Sequence, residues 1–488
     1  MFIRATQQDL PAVARHYKLV SEAMEASGLN QWHWGVYPRE EDLAEDIRLG
    51  HLWLKKENDI ILAAVSVLTK QDPQYLPVNW LYGVRPGLFH RLAILPEKQG
   101  QGLGGQVLDE VERMLLAEGC DSLRCDTNST NSKAIRLYTG RGMRKSGVIR
   151  WDDEDPTPYF CFEKPLTDSC PLLPLRMHPA FRDGKLTPWG GDRLKTIYGK
   201  EIRQVPTGES LEVSCIPGLE STDDTGVSLP ALIEREGAKL VGRYAGQTFP
   251  LLLKILDAQD TLSVQVHPDN GYARDHENGK LGKTEAWLIL DAPEGSELVY
   301  GILPGTDRES LHAACLAGAA VQPLLRRVQV HPGDVCFIPA GCVHAIGAGI
   351  VLYEIQQSSD VTYRFYDWDR TDKEGKKREL HIDKALDVTD LSFALDPVPA
   401  GDAPVTRVLD QRWFTLDLLL PSSGTVALPA IQDFGMITAL EAPMTLTWEG
   451  ASLTVRKGET VFLPGSVPAV TLSGAGRAAL SMPAKGDL

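Results

Sequence analysis

The chain has 488 residues, a formal net charge of −15 at pH 7, 43% hydrophobic residues and 24% charged residues. Its length exceeds the size at which one hydrophobic core stops growing, and its composition is that of a soluble globular protein, so we expect about two or three folded domains. The negative charge leaves no general basic surface and argues against nucleic acid and membranes as partners, so an anionic substrate would require a locally basic pocket.

The N-terminal sequence and the cysteines indicate a cellular compartment. MFIRATQQDLPAVARHY lacks the basic and apolar regions of a signal peptide, and no apolar stretch reaches membrane-spanning length. The 8 cysteines include no C-x-x-C pair and are best explained as free thiols in a reducing compartment. We therefore expect a cytoplasmic protein.

Residues 1 to about 165 alternate helix and strand patterns. Apolar residues at helical spacing run from Leu10 to Met24, and the strings LWLKK and IILAAVSVL that follow are typical of strands. A second helical stripe, from Val107 to Leu115, comes after the glycine-rich QGQGLGG and before the strand-like SLRCDT. This order predicts an α/β domain.

The composition changes at TDSCPLLPLRMHP, residues 167–179, where Pro and Leu occur without a period. Beyond this segment, short strand-like runs are separated by Gly, Pro, Asp and Asn, which predicts a mostly β region. One helix is predicted near 306–318, because Thr306 and Glu309 are spaced as a capping box ahead of an apolar run. We place a domain boundary at the change in composition.

Two segments of the β region are related to each other. The segment HPGDVCFIPAGCVHAI, residues 331–346, aligns with RKGETVFLPGSVPAVT, residues 456–471, through matching glycine, acidic, aromatic, aliphatic and proline positions. Each segment is typical of a turn, a buried strand and an exit turn, which predicts two related units of a two-sheet barrel of the cupin or jelly-roll type. The second copy has Ala469 where the first has His344.

Potential metal ligands occur around the first of these units. Gln265 and His267 are two residues apart in the β-like run SVQVHPDN, so their side chains project from the same face of one strand. Glu285 and His344 would arrive from separate strands of the same barrel. Two imidazoles and a carboxylate suit Zn²⁺ or another first-row divalent ion, with the Gln carbonyl as a weak fourth donor. The alternative for each histidine is a hydrogen-bonded turn residue, which is what we expect of His331.

The order of several strings resembles a known enzyme family. Five strings occur in the order seen in the short bacterial class of type I mannose-6-phosphate isomerases, over about residues 174–488: LTPWGGDRLKTIYGK, LLLKILDAQDTLSVQVHPDN, GKTEAWLIL, HPGDVCFIPAGCVHAIGAGI and YEIQQSSDVTYRFYDWDR. The resemblance implies four zinc ligands: Gln265, His267, Glu285 and His344. It also implies interconversion of mannose 6-phosphate and fructose 6-phosphate, by proton transfer between C1 and C2 through a cis-enediol whose developing negative charge a metal ion stabilises.

Such a reaction needs further groups around the sugar phosphate. Arg364 in TYRFYD is the best candidate to bind the phosphate and orient the substrate, because a guanidinium offers a bidentate fork; a structural salt bridge is the alternative. Lys283 projects toward the same side as the ligand two residues after it, and with Lys254 and Ser263 it is a candidate substrate contact. Asp360 matches an acidic position of the family and is a candidate for proton transfer, with an exposed turn carboxylate as the alternative.

The glycine loop of the N-terminal domain carries a second resemblance. The string HRLAILPEKQGQGLGGQVL, followed by NSKAIRLYTGRGM, is similar to the GNAT acyltransferase family, whose Q/R-x-x-G-x-G/A loop binds acetyl-coenzyme A at a helix N-terminus. Asn131 is implied as a contact of the pantetheine arm. The resemblance implies contacts to the pyrophosphate from Gln99, Gly100, Gly102 and Gly104.

The chemistry of acetyl transfer is less well defined by the sequence. Tyr138, on the predicted helix NSKAIRLY, is implied as the acid that protonates the departing thiolate, with a core aromatic residue as the alternative. Trp32, Trp34 and Tyr37 either line the pocket of the acetyl acceptor or pack against the first helix. The acceptor and the general base are not identified, Glu97 and a bound water being candidates for the base.

These patterns predict a multidomain protein with an N-terminal α/β GNAT fold and a mostly-β double cupin. The favoured function is a zinc-dependent isomerase fused to an acetyl-CoA-dependent N-acetyltransferase. One alternative makes the N-terminal domain a non-catalytic acetyl-CoA sensor, and another makes the two histidines and the carboxylate an iron site of a cupin oxygenase. The predicted boundaries are 1–166 for the GNAT domain, 167–174 for a linker, 175–385 for the catalytic cupin and 386–488 for a metal-free cupin-like domain.

Overall fold

The contacts within the chain divide it into two units, residues 1–173 and residues 174–488. The structure is a computed structural model, and it describes residues 2–151, 157–371, 375–421 and 424–485. Within these ranges, no helix is both long enough and apolar enough to cross a membrane.

The first unit alternates helices and strands, as the sequence predicts. Its helices are α1 (Leu10–Ala26), α2 (Glu40–Arg48), α3 (Leu103–Ala117) and α4 (Ser132–Gly140). Its strands are β1 (Phe2–Arg4), β2 (Leu52–Glu57), β3 (Ile60–Leu68), β4 (Pro86–Ile94), β5 (Ser122–Asn128), β6 (Arg144–Ile149) and β7 (Tyr159–Pro165). They form a seven-stranded sheet in the order β1-β2-β3-β4-β5-β7-β6, in which β4 and β5 are parallel.

Helices cover both faces of this sheet, which explains its largely apolar strands. On one face, α3 buries its apolar stripe in a cluster that includes Phe89 of β4 and Phe162 of β7. On the other face, α1 buries Tyr17 in a cluster that includes Ala93 of β4. Neighbouring residues of a strand project to opposite faces, so β3 serves both clusters, with Ala63 in the first and Ala64 in the second. The predicted α/β fold of this region is confirmed.

The second unit consists mainly of strands joined by turns and short helices. Its helices are α5 (Arg193–Thr196), α6 (Leu229–Glu236), α7 (Ala238–Val241), α8 (Asn270–His276), α9 (Arg308–Leu316) and α10 (Ile382–Val388). Its strands are β8 (Leu175–Met177), β9 (Ala180–Asp183), β10 (Thr207–Val213), β11 (Leu251–Ala258), β12 (Val264–Val266), β13 (Glu285–Asp291), β14 (Glu297–Ile302), β15 (Leu325–Gln329), β16 (Asp334–Ile338), β17 (His344–Ala345), β18 (Ile350–Gln357), β19 (Tyr363–Tyr366), β20 (Val398–Pro399), β21 (Val405–Asp410), β22 (Phe414–Leu419), β23 (Thr425–Ala427), β24 (Phe434–Ala439), β25 (Met444–Trp448), β26 (Ala451–Val455), β27 (Thr460–Pro464), β28 (Thr471–Gly474) and β29 (Ala478–Pro483).

These strands form four sheets. A seven-stranded sheet, β20-β16-β13-β18-β11-β10-β9, packs against a five-stranded sheet, β15-β14-β17-β12-β19. Their shared core includes Trp287 and Leu352 from the first sheet and Tyr300 from the second. The later strands form a six-stranded sheet, β21-β22-β29-β24-β27-β8, and a four-stranded sheet, β23-β28-β25-β26. The two strands of the sequence repeat, β16 and β27, lie in the seven-stranded and the six-stranded sheet, as expected for two related β units.

Helix α9 starts one residue later than its predicted capping box implies. Its N-cap is Asp307, whose carboxylate accepts a hydrogen bond from the Ser310 amide at 2.7 Å. Thr306 instead belongs to the preceding turn, where its amide donates to the Leu303 carbonyl at 3.2 Å. Asp is at least as good an N-cap as Ser or Thr, so Asp307 can replace Thr306 in this role and the helix begins one residue later.

Candidate active site between two sheets of the second unit

The register of the five-stranded sheet places three predicted site residues side by side. Strand β12 lies between β17 and β19, and Gln265 is opposite His344 on one side and Arg364 on the other. Directly opposed residues in a sheet project to the same face, so these three side chains share one surface. His267 follows at the end of β12.

The fourth predicted ligand comes from the other sheet of the pair. Glu285 is the first residue of β13 in the seven-stranded sheet. Its Oε1 lies 3.3 Å from His344 Nε2, and its Oε2 lies 3.7 Å from His267 Nε2. The three side chains are buried and each offers one ligand atom, all within 4.8 Å of one another. The structure thus brings together from three chain segments the two imidazoles and the carboxylate that the sequence indicated.

Backbone carbonyls orient both histidines. His267 Nδ1 lies 2.9 Å from the Val361 carbonyl oxygen, and His344 Nδ1 lies 2.9 Å from that of Cys342. Because a carbonyl can only accept, each Nδ1 carries the proton and each Nε2 presents a lone pair toward Glu285. Burial lowers the pKa of His344 to about 4 and lowers that of His267 well below its usual value. Both rings are therefore neutral at pH 7, which is the form that binds metals.

The carboxylate of Glu285 lacks hydrogen-bond donors of acceptable geometry among the described residues, although it is buried. The Lys283 ammonium lies 2.8 Å from its Oε2 and 3.1 Å from His267 Nε2. A buried carboxylate is costly unless a cation compensates it, and the Lys283 ammonium, which lies against both Glu285 and His267, shows that this donor set attracts positive charge. The residues present fit a divalent metal ion.

Gln265, the remaining predicted metal ligand, lies beside His344. Its side-chain amide nitrogen lies 3.2 Å from His344 Nε2. A half-turn of the amide exchanges its nitrogen and oxygen, which presents a carbonyl donor in the same place.

A carboxylate that the sequence analysis missed lies beside this cluster. Glu354 of β18 is opposite Trp287 of β13 and Lys254 of β11. Its Oε1 is 3.3 Å from the Lys254 ammonium, and the Trp287 indole donates to its Oε2 at 3.2 Å. Burial and the negative charge of Glu285 raise the pKa of Glu354. The signal was available in the string IVLYEI, where a single acidic residue interrupts a largely apolar run of β18.

The remaining predicted substrate contacts have different environments. Lys254 is buried between the carboxylates of Glu354 and Glu209, the latter at 3.6 Å. Ser263 is buried immediately before β12. Arg364 is partly buried, and its Nε has no hydrogen-bond partner among the described residues. Burial and the neighbouring Arg378 lower the pKa of Arg364. An incompletely paired guanidinium is suited to an anion, so the arrangement argues against the salt-bridge alternative.

Asp360 is placed differently from the other candidates. Its carboxylate forms an ion pair with the Lys280 ammonium at 2.7 Å, and both side chains are largely exposed. Burial acts to raise the pKa of Asp360, but the hydrogen bond and charge of Lys280, a backbone hydrogen bond and the charge of Arg182 together lower it. The described contacts of Asp360 match the alternative interpretation, an exposed turn carboxylate, better than a role in proton transfer.

In the first unit, the glycine loop leads into α3 as predicted. Gly100 and Gly102 have φ angles of 76° and 79°, which favour glycine, and Gly102 is the N-cap of α3. The Gln99 side chain donates to the Ile94 carbonyl at 3.2 Å. Gly104 lies inside the helix, where a Cβ atom would come within 3.0 Å of the Leu137 side chain. Close packing against α4 therefore accounts for this glycine without a ligand.

Asn131 and Tyr138 both belong to α4 and both have structural roles. Asn131 caps the helix by accepting from the Ala134 amide at 3.0 Å, and its amide group donates to Gln31 at 2.7 Å. Tyr138 is buried between Phe89 and Phe162, with ring centroids 5.5 and 5.6 Å away. Burial raises the pKa of Tyr138 well above its usual value, so its hydroxyl keeps its proton. The core alternative fits this packing, while a protonated phenol is also the form a proton donor requires.

Two protein families match separate parts of the chain. Residues 17–143 match the family model described as acetyltransferase (GNAT) family, and residues 195–286 match that of phosphomannose isomerase type I, catalytic domain. A mannose-6-phosphate isomerase from Streptococcus mutans is 38% identical over 286 residues, covering 57% of this chain and 89% of the relative. The mannose-6-phosphate isomerase ManA from Bacillus subtilis is 36% identical over 310 residues, covering 62% and 96%.

Solved structures agree with these matches. The mannose 6-phosphate isomerase from Bacillus subtilis aligns with a TM-score of 0.58 at 31% identity, over 64% of this chain and 99% of that chain. A putative mannosephosphate isomerase from Archaeoglobus fulgidus, at 21% identity and a TM-score of 0.53, covers 64% of this chain and 99% of its own and shares the fold. The predicted mostly-β fold of the second unit is confirmed.

The donor set leads to a prediction about metal content. Purified full-length protein should contain about one divalent ion per chain, and Glu285→Gln should reduce occupancy at least about tenfold because the charged donor is lost. Elemental analysis and the absorption spectrum of the Co²⁺-substituted protein measure this directly. Glu297→Gln is the matched control, since Glu297 forms an exposed ion pair with Arg327 on neighbouring strands. Equal metal content in Glu285→Gln and the control would remove Glu285 from the ligand set.

Proposed function

Because the chain belongs to the mannose-6-phosphate isomerase family and carries a GNAT-family domain ahead of it, we propose that the second unit interconverts mannose 6-phosphate and fructose 6-phosphate with a bound divalent metal ion, zinc in the first instance. The observation that carries the proposal is the buried donor set of His267, Glu285 and His344, with Gln265 beside it. Bound there, the ion supplies electrophilic stabilisation of negative charge on the sugar oxygens.

The proton transfer between C1 and C2 needs a group that can take and return a proton. Glu354 is suited to this task, since its raised pKa brings a carboxylate closer to neutral pH. Lys254, 3.3 Å from Glu354, holds the carboxylate in position and offers a charge that can be shared with a developing cis-enediolate. Lys283 can donate a hydrogen bond to a sugar hydroxyl from the other side of Glu285. Asp360 is not needed in this scheme.

The substrate phosphate requires a cation that is not already neutralised. Arg364 meets this requirement, because its Nε is unpartnered among the described residues and it neighbours Gln265 across the strand pair. Ser263, just ahead of Gln265, supplies a hydroxyl on the same segment. Together they would hold the phosphate end of the substrate, while Glu354 would move the proton between C1 and C2.

An iron oxygenase remains the competing function, since two histidines and one carboxylate also suit iron. Gln265 as a fourth donor and the isomerase relatives favour the isomerase. The deciding experiment is a coupled assay of mannose 6-phosphate conversion before and after chelation. Chelated protein should lose activity and recover it when Zn²⁺ is added back. Oxygen consumption by iron-containing protein that leaves mannose 6-phosphate unchanged would overturn the proposal.

Arg364 provides a second test of the isomerase site. Arg364→Ala should raise KM for mannose 6-phosphate and lower kcat, with a combined loss in kcat/KM of about 10²-fold or more, because a charged contact that orients the substrate is removed. Steady-state kinetics in both directions measure the change. Arg274→Ala is the control, since Arg274 forms an exposed ion pair with its neighbour Asp275. Unchanged kinetics in Arg364→Ala would exclude Arg364 from the site.

For the first unit we propose acetyl transfer from acetyl-CoA to an amine, with Gln99, Gly100 and Gly102 at the pyrophosphate. The glycine loop at the N-terminus of the 15-residue helix α3 supports cofactor binding. A sensor that binds acetyl-CoA without turnover is the alternative. It would bind acetyl-CoA tightly and transfer the acetyl group to no amine.

Tyr138 distinguishes catalysis from binding alone. Tyr138→Phe removes only a hydroxyl from a side chain that packs between two phenylalanines, so folding and acetyl-CoA affinity should be preserved. If Tyr138 protonates the thiolate, the rate of transfer should fall about 10²-fold or more. Calorimetry measures the affinity, and release of free coenzyme A thiol measures the rate. A wild-type rate in this variant would leave Tyr138 as a core residue only.

A further inference from the structure

A second polar cluster lies in the first unit, where strands β4 and β5 separate. Their parallel pairing joins Pro86–Leu88 to Ser122–Arg124. Both strands continue beyond this register, β4 to Ile94 and β5 to Asn128. There, β4 pairs with β3 on one side and β5 pairs with β7 on the other. Side chains from the two strands therefore face each other across an opening in the sheet.

His90 of β4 and Asp126 of β5 meet across this opening. His90 Nδ1 lies 3.6 Å from Asp126 Oδ1. The Tyr75 hydroxyl and the Trp151 indole both donate to the Asp126 carboxylate, the latter at 3.1 Å. The Tyr75 ring stacks on the His90 imidazole with centroids 5.9 Å apart and meets the Trp151 ring edge-on at 5.9 Å. An imidazole and a carboxylate are thus enclosed by two aromatic rings.

The charge of Asp126 is not neutralised by a fixed cation. Within the described ranges, no lysine or arginine forms an ion pair with it, and its hydrogen-bond donors are neutral. Asp46 on the same unit is different, because Arg91, the residue after His90, donates to it at 3.0 Å. A carboxylate whose described donors are all neutral is suited to an ammonium group, through charge-assisted hydrogen bonds. Trp151 is 38% exposed and is the most exposed member of the cluster.

The cluster also lies close to the proposed acetyl-transfer chemistry. Tyr138 contacts Phe89, which is the residue before His90 on β4. Adjacent residues of a strand project to opposite faces, so Tyr138 and His90 lie on opposite faces of the sheet. The opening between the strands lies between them. An acceptor bound at Asp126 and a thioester near Tyr138 would approach each other through this opening.

We infer that Asp126, His90, Tyr75 and Trp151 form the acceptor site of the first unit and that the acceptor is a small molecule with a primary ammonium group and no adjacent carboxylate. This inference rests on the proposed acetyltransferase function. Asp126 binds the ammonium group beside the partly exposed Trp151 ring, and His90 takes one proton from it. The neutral nitrogen then attacks the acetyl carbonyl carbon, the C–N bond forms, and the C–S bond breaks with its electron pair going to sulfur.

The nitrogen loses a second proton as the amide forms, and the departing sulfur gains one, supplied by Tyr138 and returned to it through solvent. His90 releases its proton to water. The products are the N-acetyl amine, coenzyme A as a thiol, and one proton. An α-carboxylate on the acceptor would be repelled by Asp126, so amino acids should be poor substrates.

The test compares n-butylamine with norvaline, which adds a carboxylate to the same carbon skeleton, on full-length protein. Ligand-observed NMR in the presence of coenzyme A measures binding, and thiol release from acetyl-CoA measures transfer. Wild type should bind and acetylate butylamine, and should act on norvaline at least about tenfold less well. Asp126→Asn should weaken butylamine binding about tenfold or more, and His90→Gln should mainly lower kcat, about 10²-fold or more.

Two further variants test whether the changes in binding and transfer come from the inferred site. Trp151→Leu changes a partly exposed ring, so it should weaken binding without disturbing the fold. Asp59→Asn is the matched control for charge, because Asp59 lies in the exposed turn between β2 and β3 with a φ of 63° that Asn also adopts. It should behave as wild type.

The outcomes separate the site from the function. Transfer to butylamine that is insensitive to Asp126→Asn, His90→Gln and Trp151→Leu would overturn the site and leave the acetyltransferase intact. Binding that depends on Asp126 without any transfer would support the amine site and overturn the acetyltransferase function. Absence of both binding and transfer would overturn the inferred site, and a preference for norvaline would overturn the predicted class of acceptor.

Discussion

The buried carboxylate of Glu285 is the constraint on which the arrangement of the second unit depends. A carboxylate enclosed between two sheets costs several kcal/mol unless positive charge compensates it. The structure places two neutral imidazoles and the Lys283 ammonium against it. Backbone carbonyls fix the proton of each imidazole on the outer nitrogen, so both inner nitrogens point at the same centre. The two histidines and Glu285 therefore offer their donor atoms to one point.

The surrounding charges follow from how the two sheets are paired. On the five-stranded sheet, His344, Gln265 and Arg364 form one row across three strands. On the seven-stranded sheet, Trp287, Glu354 and Lys254 form a second row. The first row carries possible metal donors and a guanidinium, Arg364, whose Nε lacks a hydrogen-bond partner among the described residues. The second carries Glu354, whose pKa is raised, beside the Lys254 ammonium. This division fits the proposed isomerase, in which the phosphate site, the metal donors and the proton carrier would contact different parts of one sugar.

The first unit contains a seven-stranded sheet in which β4 and β5 pair over only part of their length. Its helices cover both faces, and β4 and β5 pair only over Pro86–Leu88 and Ser122–Arg124, so His90 and Asp126 lie beyond the paired stretch. Most charged side chains of this unit that are buried have a fixed counter-charge or several hydrogen-bond donors, as Glu163 does from two backbone amides. Asp126 stands out because its donors are neutral and its neighbours are aromatic. This contrast, rather than burial alone, is the reason we assign Asp126 to the inferred acceptor site.

By itself, the sequence determined the α/β pattern of the first unit, the β character of the second, and four candidate metal ligands in Gln265, His267, Glu285 and His344. These signals are local, since they consist of apolar spacing and of strings that resemble known families. Only the tertiary structure decided that Glu354 belongs beside the ligands and that Asp360 forms an exposed ion pair. It also decided that His90 and Asp126 meet across the sheet. The reason is physical: strand register over long separations sets which side chains become neighbours, and local sequence does not encode that register.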